Sequence, residues 1–315
     1  MKLTHMARSG LTVSELAFGT LTLGPLQANL TPEEGARAIR RALELGINFF
    51  DTAQNYRNYA HIARGLAGWP DQVVIACKSH AASYTDMARA VEEALAALNR
   101  QHIDIFFLHL ILSEQDFLER KEALRCLIDL RRQGLIEAIG ASTHSAKGVR
   151  AVLDHEAIDV VFPVVNMRGL GIQDGTLEEM LAAVSAAKAR GKDLYAMKPL
   201  GGGHLIADIP AAVDYLRKLG LFDSICMGMK TPDEVETNVR VFAGERLPDD
   251  LLERLRSAKK QLLIYDTCQR CGICEETCDQ GAIHVGPIKA VVDPEMCILC
   301  GYCAAACPHF NIRVV

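Results

Sequence analysis

Two runs of cysteine carry the most legible chemistry in this 315-residue chain. The first is Cys268, Cys271, Cys274 and Cys278; the second is Cys297, Cys300, Cys303 and Cys307. Both read C-x2-C-x2-C-x3-C, and together they take eight of the eleven cysteines into the last 48 residues. Three cysteines at steps of three can wrap three iron corners of one cubane, and the fourth points away toward a second cluster. The spacing therefore predicts crossed ligation of two 4Fe–4S clusters. Cys268, Cys271, Cys274 and Cys307 would hold one, and Cys297, Cys300, Cys303 and Cys278 the other. Paired C-x2-C units also bind zinc, but zinc would not require the third and fourth cysteines of each run.

A second constellation lies far upstream, in Asp51, Tyr56, Lys78 and His109. An ammonium beside a phenol favours the phenolate and lowers the tyrosine pKa, while an aspartate pairs with the lysine and fixes it. A histidine can orient a carbonyl oxygen against the phenol. Such a site would protonate a carbonyl oxygen as hydride arrives at carbon. Taken singly, Asp51 and Lys78 read as a structural ion pair, His109 as a buried polar group and Tyr56 as a packing residue.

The elements that must position these residues alternate short apolar runs with longer amphipathic stretches. Strands are expected at Leu16–Phe18, Asn48–Asp51, Val73–Lys78, Ile103–Leu108, Ile136–Ala141, Val160–Val165, Asp193–Met197 and Ser224–Met227. Helical patterning fills Thr31–Leu45, Ala88–Leu98, Thr176–Arg190 and Thr231–Val241, and Thr31-Pro32-Glu33-Glu34 is a helix-start signal. Eight units with strands buried on both faces predict an α/β fold, a parallel (β/α)8 TIM barrel. A doubly wound sheet is disfavoured because no G-x-G-x-x-G follows the first strand. Met1–Thr12 is expected to form a hairpin plugging the barrel bottom. Barrel chemistry sits at the C-terminal ends of strands, and Asp51, Tyr56, Lys78 and His109 follow three successive ones. That coincidence makes the structural readings improbable for the set.

The tail, over about residues 262–315, resembles the bacterial two-cluster ferredoxin, with Pro308 after the last cysteine and Asp279 in place of the first proline. Ala282–Val285 and Asn311–Val314 look like the paired strands that close such a small α+β module. Asp51-Thr52-Ala53-x-x-Tyr56, Lys78 and Asp104-x-x-x-x-His109 resemble the tetrad of the aldo-keto reductases. That likeness spans about residues 1–245 and takes in Gly19-Thr20, Gly140-Ala141-Ser142, Pro199-Leu200-Gly201-Gly202-Gly203 and Gly228-Met229-Lys230-Thr231-Pro232. The resemblance implies NAD(P)H-dependent carbonyl reduction with Tyr56 as acid, tuned by Lys78 and Asp51. Barrel and tail together resemble the branch of that family with a C-terminal 4Fe–4S domain. The implied organisation is a barrel at 1–245, a connecting helix at 246–264 and a dicluster domain at 265–315.

The nicotinamide contacts implied by the resemblance are Gly19, Thr20, Ser142, Thr143, Asn166, Met197, Lys198, Leu200, Gly202, Gly228, Lys230 and Asn238. Several depart from the family pattern. Thr143 stands where a carboxamide-binding asparagine is common, Phe162 at the usual glutamine, and Met197 at the aromatic that stacks on nicotinamide. Glu234 falls where a basic residue would meet a 2′-phosphate, so NAD(H) is favoured over NADP(H). Lys198 and Lys230 are candidate pyrophosphate contacts, and Gly201–Gly203 would let backbone approach a phosphate. His144 either faces the barrel mouth or caps the helix that starts at Ser145. Cys77, Cys126 and Cys226 read as small core residues.

Composition narrows the classes. A net charge of −5 argues against a nucleic-acid binder. No apolar run approaches the ~18 residues of a spanning helix, and the N-terminal MKLTHMARSG lacks the apolar core of a signal peptide. The expectation is a cytoplasmic protein with reduced thiols. The leading reading is an oxidoreductase acting on a small carbonyl or alcohol, exchanging electrons with a ferredoxin or other redox partner through the clusters. The alternative is a redox sensor or electron carrier whose barrel only binds a ligand.

Overall fold

The computed structural model describes residues 1–257, 261–309 and 311–314. A hairpin opens the chain, β1 (Leu3–His5) against β2 (Thr12–Ser14). Eight parallel strands then close into a barrel: β3 (Leu16–Gly19), β4 (Phe49–Asp51), β5 (Val74–Ser79), β6 (Ile103–Leu108), β7 (Ile136–Thr143), β8 (Val160–Pro163), β9 (Asp193–Met197) and β10 (Ser224–Gly228). Closure is made by β10 pairing with β3, Gly228 opposite Gly19. The strands are buried almost end to end because helices cover them outside and side chains fill them inside. Phe18, Phe49, Phe50, Phe106, Phe107 and Tyr195 are among the largest fully buried side chains.

The expected hairpin plug is present. The backbone N–H groups of Arg8 and Ser9 donate to the carboxylate of Asp193, at the start of β9, which pins the hairpin under the barrel bottom. Helix starts follow local chemistry. Thr31 accepts from the Glu34 N–H while Glu34 returns a bond to the Thr31 N–H, a complete capping box before Pro32–Glu44. No helix among the described residues is long and apolar enough to cross a membrane.

The C-terminal module is built from β11 (Leu262–Ile264), β12 (Ile283–Val285), β13 (Ala290–Val292), β14 (Ile312–Val314) and two short helical turns, Ile273–Glu276 and Tyr302–Ala306. Two expectations are corrected here. The connecting helix is described over Asp249–Ser257, and Leu262–Ile264, expected within it, is a strand paired antiparallel with β14. The apolar Leu-Leu-Ile run finds its partner across the module rather than along a helix. Ile283–Val285 and Ile312–Val314 do not pair with each other; β12 pairs with β13 and β14 with β11. Each half of the module thus closes its own two-stranded ribbon, and Ile264, Ile283, Ala290 and Ile312 meet the cysteines in a common core.

The module sits on the C-terminal mouth of the barrel. His204 Nε2 meets the Cys297 carbonyl at 2.6 Å and Gln173 Nε2 donates to the Asp279 carbonyl at 3.0 Å. Two glycines let backbone meet backbone. A Cβ on Gly202, at φ +76°, would collide with the Ile298 carbonyl oxygen. A Cβ on Gly301, at φ +84°, would collide with the Leu26 carbonyl oxygen. Gly202→Ala combines a left-handed backbone with that collision and should cost about 1–3 kcal/mol. The expected readings are a lower unfolding midpoint and faster hydrogen exchange over 297–303; an unchanged midpoint would mean that the contact is not tight.

Candidate active site and cluster sites

At the barrel mouth the ends of β4 and β5 bring Asp51 and Lys78 together, both almost fully buried. Lys78 Nζ donates to Asp51 Oδ1 at 2.6 Å and to the Thr52 carbonyl at 2.7 Å. The Tyr195 hydroxyl on β9 donates to Asp51 Oδ2 at 2.8 Å. Burial raises the Asp51 carboxyl, against the pull of Lys78 and the Tyr195 bond. The Tyr195 ring lies flat on Phe162, centroids 3.8 Å apart. Phe162, in the expected glutamine position, therefore serves as a wall for the ion pair, and Lys78 Nζ is 5.3 Å from its ring centroid.

Tyr56 follows in the turn Gln54–Tyr56, its ring centroid 5.1 Å from Lys78 Nζ. His109 lies edge-on to it at 6.0 Å, and His80 stacks on His109 at 4.1 Å. The four expected residues are thus gathered at one place. One expectation reverses: the Tyr56 phenol is pushed well up, not down, because burial dominates and the negative groups around it add to it. The Lys78 charge is already spent on Asp51 and Thr52. Tyr56 is consequently held as a protonated phenol, the form that an acid requires. Burial pushes His109 well below the usual imidazole range, aided by His80 and Lys78, so its ring is neutral. His109 Nδ1 is buried without a hydrogen-bond partner among the described residues.

Two aromatic residues that sequence reasoning passed over complete the site. Tyr195 orients Asp51; its only sequence signal was a polar-tipped aromatic in a buried strand. Tyr302, between Cys300 and Cys303, packs with Leu26, Ala53 and Tyr56. The module therefore reaches Tyr56 itself.

The two cysteine quartets line two separate cavities. One is bordered by Cys278, Cys297, Cys300 and Cys303; the other by Cys268, Cys271, Cys274 and Cys307. These are the crossed sets expected from the spacing, and the donor chemistry, four thiols around each cavity, fits a 4Fe–4S cluster. The Ala282 N–H donates to Cys278 Sγ and the Asn311 N–H to Cys307 Sγ, each at 3.3 Å. Glu275 accepts from the Val285 N–H at 2.8 Å and ties β12 to the first cysteine turn. The Asp279 carboxylate faces Lys198.

The residues expected to hold nicotinamide are engaged elsewhere. Ser142 Oγ accepts from the Leu110 N–H at 3.0 Å, and Thr143 Oγ1 donates to the Ser145 carbonyl and accepts from its N–H. Asn166 donates to the Leu170 carbonyl and accepts from the Leu170 and Arg168 N–H groups. Thr20 Oγ1 donates to the Asp51 carbonyl. Lys198, the candidate pyrophosphate contact, has its Nζ 3.2 Å from His144 Nε2, and Asp279 and Cys300 face it. His144 faces the mouth, with Gln280 on its other nitrogen, while Ser145 caps the helix Ala146–Val152. Glu234 accepts from the Lys230 N–H, so its carboxylate is committed. Gly202 approaches Ile298 rather than a phosphate, and Leu200 turns into the same short helix. Met197 is buried beneath it, Asn238 is buried on Pro232–Phe242, and only Gly228 of this set is exposed beside Gly19. As described, these residues do not fit a nicotinamide ring at the implied position.

Cys307→Ser should empty the cavity of Cys268, Cys271 and Cys274 and spare the other. Iron per chain would fall from about eight to about four; loss of zinc with no change in iron would reverse the metal assignment.

With this geometry in view, comparison with known proteins is direct. The Aldo/keto reductase family model matches residues 15–211, more than half of the chain, and the 4Fe-4S binding domain model matches residues 290–313. L-galactose dehydrogenase of Arabidopsis thaliana is 25% identical over 224 residues, 67% of this chain and 69% of that protein. Methylglyoxal reductase DkgA of Escherichia coli O157:H7 is 28% identical over 149 residues, 46% of this chain and 52% of that protein. The chain spans about half the length of several of the reductases it matches. In fold, it resembles the holo form of the aldo-keto reductase AKR11C1 from Bacillus halodurans, at TM-score 0.64 and 20% identity, covering 82% of this chain and 97% of that one. The barrel, its mouth and the matched residues lead to one conclusion: the chain belongs to the aldo/keto reductase family of oxidoreductases and carries a 4Fe–4S domain at its C-terminal end.

Proposed function

We propose that the protein interconverts a small carbonyl and an alcohol at Tyr56, with electrons exchanged through two 4Fe–4S clusters and an external ferredoxin-type partner. The observation that carries this reading is Tyr302, one residue before Cys303, packed against Tyr56. Proton donor and cluster ligands share one end of the barrel. Clusters held on the two cysteine quartets would supply or accept electrons one at a time.

The chain's own residues do the rest. Tyr56, protonated by virtue of its burial, gives its proton to the carbonyl oxygen. The neutral His109, whose Nδ1 has no hydrogen-bond partner among the described residues, holds that oxygen in register. Lys78 stabilises the phenolate as it forms, and Asp51 and Tyr195 keep the ammonium from turning away. In the reverse direction the same phenolate takes the alcohol proton. The reduced thiols that such clusters need suit a reducing compartment, the cytosol.

Tyr56→Phe should lower carbonyl turnover by about 100- to 10,000-fold and leave the visible cluster absorption unchanged. Undiminished turnover would leave the barrel as a ligand-binding body joined to an electron carrier. Because the Tyr56 phenol lies above and the His109 imidazole below the neutral range, the rate should stay level from about pH 6 to pH 9. A loss of the reducing activity as pH rises through 7 to 8 would mean that the phenol is acidified after all.

A further inference from the structure

The residues that the resemblance assigns to nicotinamide lie at the ends of β7–β9 and in the loops after them, and in this structure one segment of the module bridges the loops around that mouth. That segment is Cys297–Tyr302, which carries two of the cysteines of one quartet. At one end the Cys297 carbonyl meets His204 and the Ile298 carbonyl presses on Gly202. Ile298 also fills the space over Gly171, in the loop after β8. At the other end Gly301 abuts the Leu26 carbonyl, in the loop after β3, and Tyr302 ends on Tyr56. The segment therefore spans the mouth from the loop after β9 to the loop after β3. Ser142 Oγ already accepts from the Leu110 N–H, Thr143 and Asn166 are bonded to backbone, and Lys198 Nζ lies against His144.

We infer that this segment takes the place of a nicotinamide, so that the protein binds neither NAD(H) nor NADP(H) and its substrate is reduced by single-electron transfers. The inference rests on the carbonyl reading above. The balance is one carbonyl group plus two electrons plus two protons to one secondary alcohol. The C=O π bond breaks, C–H and O–H bonds form, and two equivalents of a reduced one-electron carrier of the ferredoxin class are oxidised. The oxygen takes its proton from Tyr56 and the carbon takes one from solvent. A hydride donor avoids an odd-electron intermediate, whereas single electrons pass through a ketyl radical. Such a radical is accessible when the carbonyl is conjugated, which fixes the substrate class as an aryl or α,β-unsaturated carbonyl. The stacked rings of His80 and His109 beside Tyr56, with His80 exposed, offer a flat aromatic flank for it.

The test uses the whole chain, purified without oxygen and with its iron content verified. NADH and NADPH are titrated separately, following nucleotide fluorescence and the visible cluster absorption. Turnover is then measured with reduced methyl viologen as donor and acetophenone or cyclohexanone as probe. The expected result is no saturable binding, no bleaching by either nucleotide, and turnover of acetophenone faster than cyclohexanone by more than about tenfold. Saturable binding of either nucleotide, with or without bleaching, overturns the inference whichever carbonyl reacts. Equal rates on the two ketones overturn its substrate class. Failure of the carbonyl reading is separate: viologen-driven turnover that survives Tyr56→Phe, or that no carbonyl supports, would occur with the nucleotides still unbound.

Discussion

The pairing of a buried ammonium with a buried carboxylate governs the mouth of this barrel. An isolated charge at the depth of Lys78 would be prohibitively costly, so the site must supply Asp51, the Thr52 carbonyl and, behind Asp51, the Tyr195 hydroxyl. That set in turn fixes the ends of β4, β5 and β9 against one another. It also places a wall of stacked aromatic rings, Phe162 on Tyr195, beside the charge. Tyr56 inherits an environment that is apolar overall, with a positive charge close enough to matter only when the phenol ionises.

The second constraint is steric. Two glycines on opposite sides of the interface, Gly202 on the barrel and Gly301 on the module, remove the side chains that would hold the two bodies apart. Both have positive φ, so each turn is one that a side chain would also strain. The result is backbone packed on backbone across the barrel mouth. The same approach sets Lys198, His144, Gln280 and Asp279 together at the seam.

Much of this was legible in the residues alone, for identifiable reasons. Strands buried on both faces read as apolar runs, and the expected bounds of Ile103–Leu108 and Asp193–Met197 coincide with those observed. The cysteine quartets sort into their crossed sets because ligand spacing is dictated by cluster size. The pairing of three-residue strands in the module was not legible, since such segments hold too few positions to show a period. Nor was the direction of the Tyr56 shift: a sequence displays which charges are near, whereas burial depends on how completely Leu26, Ala53 and Tyr302 close over the phenol. Tyr195 and Tyr302 escaped notice because their roles arise from loops and strands far apart in the chain.

The contact between Gly301 and Leu26 joins a segment late in the chain to the loop that follows the first barrel strand. The Gln27 side chain beside it reaches the Leu299 carbonyl across 272 residues. The loop after β9 grips the same segment from the other side, at Cys297 and Ile298. The module is therefore clamped between the first and the seventh loops of the barrel mouth, and any displacement of it must break both grips at once.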